Sequence, residues 1–170
     1  MAIEPALPDT AVAPAKVTSL DVGLFLIRVL PGIVFLFHGS QKLFAWFGGP
    51  GLGTFGEFLA ARGVLAPLLA ATLATLAEFV GGLSLLTGIG LRVLAIPLFV
   101  TMMVACFLVH PQAFSGEHDG MEYPLTLAFV VLGLAMTGPG RVTLPAVIRM
   151  AMDGRASRPA STYGVRRSEG

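Results

Sequence analysis

The chain has 170 residues, of which 55% are hydrophobic and only 12% charged, with a mean hydropathy of +0.81. An ordinary soluble domain carries about 25% charged residues, and a water-soluble core of this length has no means of hiding so much apolar surface. The net charge of +1 comes without a basic stripe interleaved with aromatics, which sets nucleic-acid binding aside. The single cysteine, Cys106, excludes an internal disulfide and a CxxC dithiol centre, so redox chemistry here needs a cofactor or a partner.

In chain order, residues 1–20 contain Glu4, Asp9 and prolines at 5, 8 and 14 with no apolar stretch; they read as a disordered tail and not as a cleavable signal. Four apolar runs follow, at 22–40, 65–87, 91–110 and 123–137. Each is near the ~20 residues that a helix rising about 1.5 Å per residue needs to cross a ~30 Å hydrocarbon core. The expected fold is therefore all-α, a four-transmembrane-helix bundle over 21–141. The first run opens at Asp21, carries Arg28 and Pro31-Gly32, and leaves at His38-Gly39-Ser40-Gln41-Lys42. Its loop holds Trp46, Phe47, Phe55 and Phe58 with Gly48-Gly49-Pro50-Gly51, which fits an interfacial aromatic belt, and 53–62 fits a short surface helix. The second run holds Glu78, and Gly88-Ile89-Gly90 with Arg92 turns the chain into the third, which ends at His110-Pro111. An acidic loop with Glu117, His118, Asp119 and Glu122 leads to the fourth, stopped by Gly138-Pro139-Gly140-Arg141. Within the final stretch, 142–170, residues 144–152 fit a small amphipathic helix.

An even number of spans puts both tails on one side of the membrane. That side collects Lys16, Arg92, Arg141, Arg149, Arg155, Arg158, Arg166 and Arg167, against Lys42 and Arg62 on the other. The positive-inside rule then makes both termini cytoplasmic; the expected location is the cell membrane, crossed several times, as in a prokaryotic inner membrane.

Ionisable residues inside the spans are the places to look for function, because a lone charge in hydrocarbon costs about 2.5–3.5 kcal/mol by insertion scales. Arg28 and Glu78 have opposite sign and lie about 9 Å and 13 Å from the same edge of the bilayer, so they are expected to face each other as helices one and two pack. Such a pair is either a structural clamp that fixes helix register or a proton or quinone-headgroup site. On the second helix Glu78 shares a face with Ala71, Ala74, Thr75, Gly81 and Gly82, a small-residue stripe that allows close approach. His38, His110 and His118 all fall on one side of the membrane. They stand as solvent-facing interfacial histidines, as ligands for zinc, copper or iron, or as proton relays.

The order of these residues resembles the DoxX family of small four-helix membrane proteins. The resemblance rests on Arg28, His38-Gly39 and Lys42-Leu43-Phe44, on Glu78 followed by Gly81-Gly82, and on Gly88-Ile89-Gly90-Leu91-Arg92. It continues through Glu122 to Gly138-Pro139-Gly140-Arg141, covering roughly 21–144. Where relatives often continue with Ser-x-Asp, this chain has Thr143-Leu144-Pro145.

The resemblance implies association with terminal quinol oxidation, with thiosulfate-to-quinone electron transfer, or with complexes that handle oxidative or thiol stress. Its matching polar positions are Arg28, His38, Lys42, Glu78, Arg92 and Glu122. The expected function is a redox-linked subunit with Glu78 and Arg28 as the reacting pair and His38, Lys42, Arg92 and Glu122 holding a quinone. A metal, if one is bound, falls to His38, His110 and His118. The alternative is a non-catalytic anchor that assembles soluble redox or stress-response enzymes, followed by a small transporter. Expected partners are the bilayer, soluble redox proteins and further copies of the chain.

Overall fold

Long apolar runs fold as helices because a helix satisfies every interior backbone group within one segment, as a bilayer demands. The computed structural model describes residues 16–156, and all regular elements among them are helical. They are α1 (Ser19–Phe44), α2 (Gly51–Ala60), α3 (Pro67–Thr87), α4 (Leu91–Val104), α5 (Glu122–Thr137) and α6 (Leu144–Ala156), with a π-helical turn, Ala105–Val109, extending α4. Three of them, α1, α3 and α4 with its π turn, are long and apolar enough to cross a membrane, and α5 is a shorter apolar helix of 16 residues. The expected all-α membrane bundle is the observed fold. The expected tails fall partly outside the described residues, at 1–15 and 157–170.

Helix limits follow local chemistry. Thr18 and Asp21 form a reciprocal capping box that starts α1, so the helix begins three residues before the apolar run. It ends only at Phe44, where Ala45 turns left-handed (φ 56). Pro67 opens α3 at its first turn, where no amide donor is needed, and Gly88 (φ 78) closes it by donating its amide to Ser84 O.

Packing is set by glycines. A Cβ on Gly39 would lie 2.6 Å from the Phe79 amide nitrogen, and one on Gly82 would lie 2.6 Å from that of Leu36. Gly32 likewise stands against Leu85 and Leu86. These approaches describe one antiparallel register between α1 and α3, and it places Ser40 at the level of Glu78. Gly81, next in the chain to Gly82, serves the other neighbour, since its Cβ would lie 2.5 Å from Leu98 on α4. Thus α3 sits between α1 and α4, α5 packs on α4, and α1 and α5 touch only sparsely. Phe35, Leu85, Leu98, Val131 and Leu134 fill the centre. Leu30, Leu69, Val93 and Phe129 point outward, as a lipid-facing surface requires.

The end of the bundle where α1 starts is stitched shut. Asp21 Oδ1 accepts from the Arg141 backbone amide at 2.9 Å, Arg141 Nη1 donates to Lys16 O at 2.9 Å, and Arg28 donates to Val142 O. At the opposite end the chain doubles back through Phe47 and Gly48, both at positive φ, and lays α2 across α3.

Candidate functional site

The α1–α3 register decides which charges meet. Ser40, not Arg28, is level with Glu78, and the offset of twelve positions from Arg28 to Ser40 corresponds to about 18 Å along the helix. The expected Arg28–Glu78 pair is therefore not formed. Glu78 pairs instead with Lys42, whose Nζ lies 2.6 Å from Oε1 and 2.7 Å from Oε2. Depths counted from the ends of the apolar runs misplaced Arg28, because α1 extends past the end of α3 on the stitched side.

The glutamate side chain is 3% exposed and the lysine 21%. The ammonium also stands 4.8 Å from the centroid of the Phe55 ring on α2, a cation–π contact that helps hold a charge away from water. Each ionised group thus has the counter-charge that a low-dielectric setting demands.

This pair lies in the wall of a cavity of about 880 Å³ bounded by all five helices α1 to α5. Small side chains of α3, Ala70, Ala74 and Ala77, leave the space, and Phe55, Phe58 and Leu59 of α2 cover it. His38 reaches it from α1, His110 from the end of α4, and Tyr123 from α5. The π turn at Ala105–Val109 presents His110 here, with its Nδ1 at 2.9 Å from Asp119 O and 3.1 Å from Asp119 Oδ1. One helical turn before Glu78, the fully buried Thr75 hydroxyl has no hydrogen-bond partner.

Of the ionisable residues singled out in the sequence, the structure brings Glu78, Lys42, His38 and His110 to the cavity and leaves the others elsewhere. Arg28 is fully buried at the stitched end, beside Gly88 and over the Phe25 ring, with Nε and Nη1 unpartnered. Arg92 donates to Thr137 O at 3.2 Å, where a cation complements the exposed carbonyls of a helix C-terminus. Glu122 accepts from the Gly116 amide at 2.6 Å and organises the acidic loop. His118 is exposed in a 3₁₀ turn in that loop and does not line the cavity. The expected three-histidine metal set does not assemble: among the described residues no group of three or more His, Cys, Asp or Glu side chains is placed to share an ion. Sequence reasoning gave Phe55 to an interfacial belt and did not single out Tyr123, and periodicity carries no signal that would bring either to the cavity.

Comparison with known proteins agrees with this architecture. The model of the DoxX family matches residues 23–111. "Inner membrane protein YqjF" of Escherichia coli (strain K12) is 30% identical over 125 residues, covering 73% of this chain and 90% of the relative. "Putative oxidoreductase CatD" of Bacillus subtilis (strain 168) is 28% identical over 147 residues, 82% of this chain and 97% of that one. "Uncharacterized membrane protein Rv3486" of Mycobacterium tuberculosis (strain ATCC 25618 / H37Rv) is 32% identical over 151 residues, 82% and 85% respectively. No solved structure matches the chain.

Proposed function

Since the chain belongs to the DoxX family and is a multi-pass protein of the cell membrane, we propose that it is a redox-linked subunit whose cavity binds a quinone headgroup at Lys42 and Glu78. The observation that carries this reading is the ion pair itself, held in the wall of a mostly apolar space of about 880 Å³. That volume is within the roughly 300–1,000 Å³ of small-molecule sites, which combine apolar walls with a few placed polar groups. The name of the Bacillus subtilis relative, "Putative oxidoreductase CatD", points the same way.

A bound quinone supplies carbonyl oxygens that gain or lose protons together with electrons. Lys42 Nζ has three donors, of which the carboxylate takes only part, so it orients a ring oxygen while remaining paired. Glu78 is the group placed to hold or release the proton. His38 and His110 line the same space, and Asp119, 84% exposed, links His110 to solvent, giving the proton a route out. With the termini cytoplasmic, as the distribution of basic residues indicates, that route leads to the outer face. The described part of the chain has one free thiol, buried Cys106, so electrons come from a soluble redox partner. Arg28, set apart from the cavity, belongs to the structural clamp.

The test is purification in mild detergent, followed by absorbance spectroscopy and mass spectrometry of extracted lipids, for wild type and Glu78→Gln. The expected result is a co-purified quinone in wild type that is lost in a folded Glu78→Gln protein. A folded wild type that carries no quinone and retains soluble proteins instead contradicts the reading and favours a membrane anchor.

A further inference from the structure

The cavity is not closed on the side of α3 and α4. Leu73, Ile96, Val100 and Val104 all line it, yet they are 60%, 59%, 53% and 48% exposed, on surfaces that face lipid in a bilayer. A second apolar groove, of about 450 Å³, runs along the outside of α4 over Phe99, Met103 and Phe107. It shares Val100, Val104 and Leu108 with the cavity. Lys42 and Glu78 stand in the wall of the cavity, and the side chains that line the α4 groove beside it are all apolar.

We propose that the ligand is a long-tailed amphiphile that enters sideways from the bilayer, between α3 and α4, and leaves its hydrocarbon tail in the α4 groove. The inference rests on the headgroup reading above and adds to it the substrate class, a prenyl-tailed quinone in preference to a water-soluble one, and the path the molecule takes. The geometry suits such a molecule. The head needs hydrogen bonds that lipid does not offer, and the ion pair offers them. The tail gains little from leaving lipid, because acyl chains are as apolar as the groove. Close packing against Phe99, Met103 and Phe107 therefore selects it through shape and contact. The bulky side chains that flank the mouth set the width of what passes.

The experiment uses the full chain in lipid nanodiscs with a prenyl-tailed quinone carrying a photoreactive diazirine on its tail. A phospholipid with the same group on an acyl chain is the control. Cross-linked residues are located by mass spectrometry in wild type, Val100→Trp, which narrows the mouth, and Phe107→Ala, which strips the groove without filling anything. The expected result is saturable labelling at Phe99, Met103 or Phe107 that excess unlabelled quinone displaces. In Val100→Trp it falls to the level of the phospholipid control, and in Phe107→Ala it is reduced, with circular dichroism unchanged. Saturable labelling centred elsewhere, for example at the sparse α1–α5 seam near Tyr123, leaves the headgroup reading intact and overturns the tail path. Labelling no greater than that of the phospholipid probe overturns both.

Discussion

The two ends of the bundle handle buried charge in opposite ways. At the end where α1 begins, Asp21 accepts from the Arg141 backbone amide, the exposed Arg141 side chain donates to Lys16 O, and the buried Arg28 donates to Val142 O while its Nε and Nη1 stay unpartnered. At the end covered by α2, Lys42 and Glu78 satisfy each other beside open space, with two histidines and a tyrosine on the same walls. Charges that bond to backbone tie chain segments together and hold the fold. Charges that bond to each other next to a cavity keep spare donors and acceptors, and such a site can exchange partners with a ligand.

Variants at the two ends should therefore behave differently, and the largest effect belongs to the cavity. Lys42→Met leaves Glu78 buried without its counter-charge, a change expected to cost about 3–5 kcal/mol. It should appear as a large drop in thermal stability in detergent and as loss of quinone binding. Replacing both residues, as Lys42→Met with Glu78→Leu, should regain most of that stability without restoring binding, which separates the fold from the site.

Next in size is the register itself. Gly39→Val drives a side chain into the Phe79 backbone and should destabilise by about 1–3 kcal/mol, again seen by thermal unfolding. Because this shift moves Lys42 along α3, quinone affinity should fall as well. Asp21→Ala, at the stitched end, removes a capping partner and the acceptor for the Arg141 amide. A loss of about 1 kcal/mol is expected, with quinone binding unchanged. The smallest effect is predicted for Arg28→Met. Its guanidinium leaves Nε and Nη1 unpartnered, and replacing a poorly compensated buried charge by an apolar chain of similar length should alter stability by less than about 1 kcal/mol. Should Arg28→Met abolish quinone binding, the division between a clamping end and a binding end collapses.

The bundle was legible in the sequence because apolar length is nearly sufficient to specify a membrane helix. Glu78, Lys42, His38 and His110 were also visible as ionisable residues in or beside apolar runs. Their pairing was not. Counting depth from the ends of runs assumes that helices start and stop at the bilayer surface, and α1 continues past that limit on both sides because Thr18 and Asp21 cap it early and Ala45 ends it late. The information needed was present in a different form. Gly39 on α1 and Gly82 on α3 are points of close approach, each against the other helix's backbone, at Phe79 and at Leu36, and that register brings Lys42 near Glu78 without any depth estimate. The histidines failed as a set for a related reason. Sharing a side of the membrane places residues at one level, but around a five-helix wall that leaves them on different faces. Phe55 depends on how α2 folds back over the bundle, which Gly48 and Phe47 permit at positive φ and which local pattern does not dictate.

The most direct test is a charge exchange read by thermal unfolding of the purified protein. Lys42→Glu alone should be strongly destabilised by two facing carboxylates, and adding Glu78→Lys should restore the melting temperature toward wild type. Arg28→Glu combined with Glu78→Lys should gain nothing over the sum of its single variants. Recovery in the Arg28 combination, with none in the Lys42 combination, would contradict the register and with it the site.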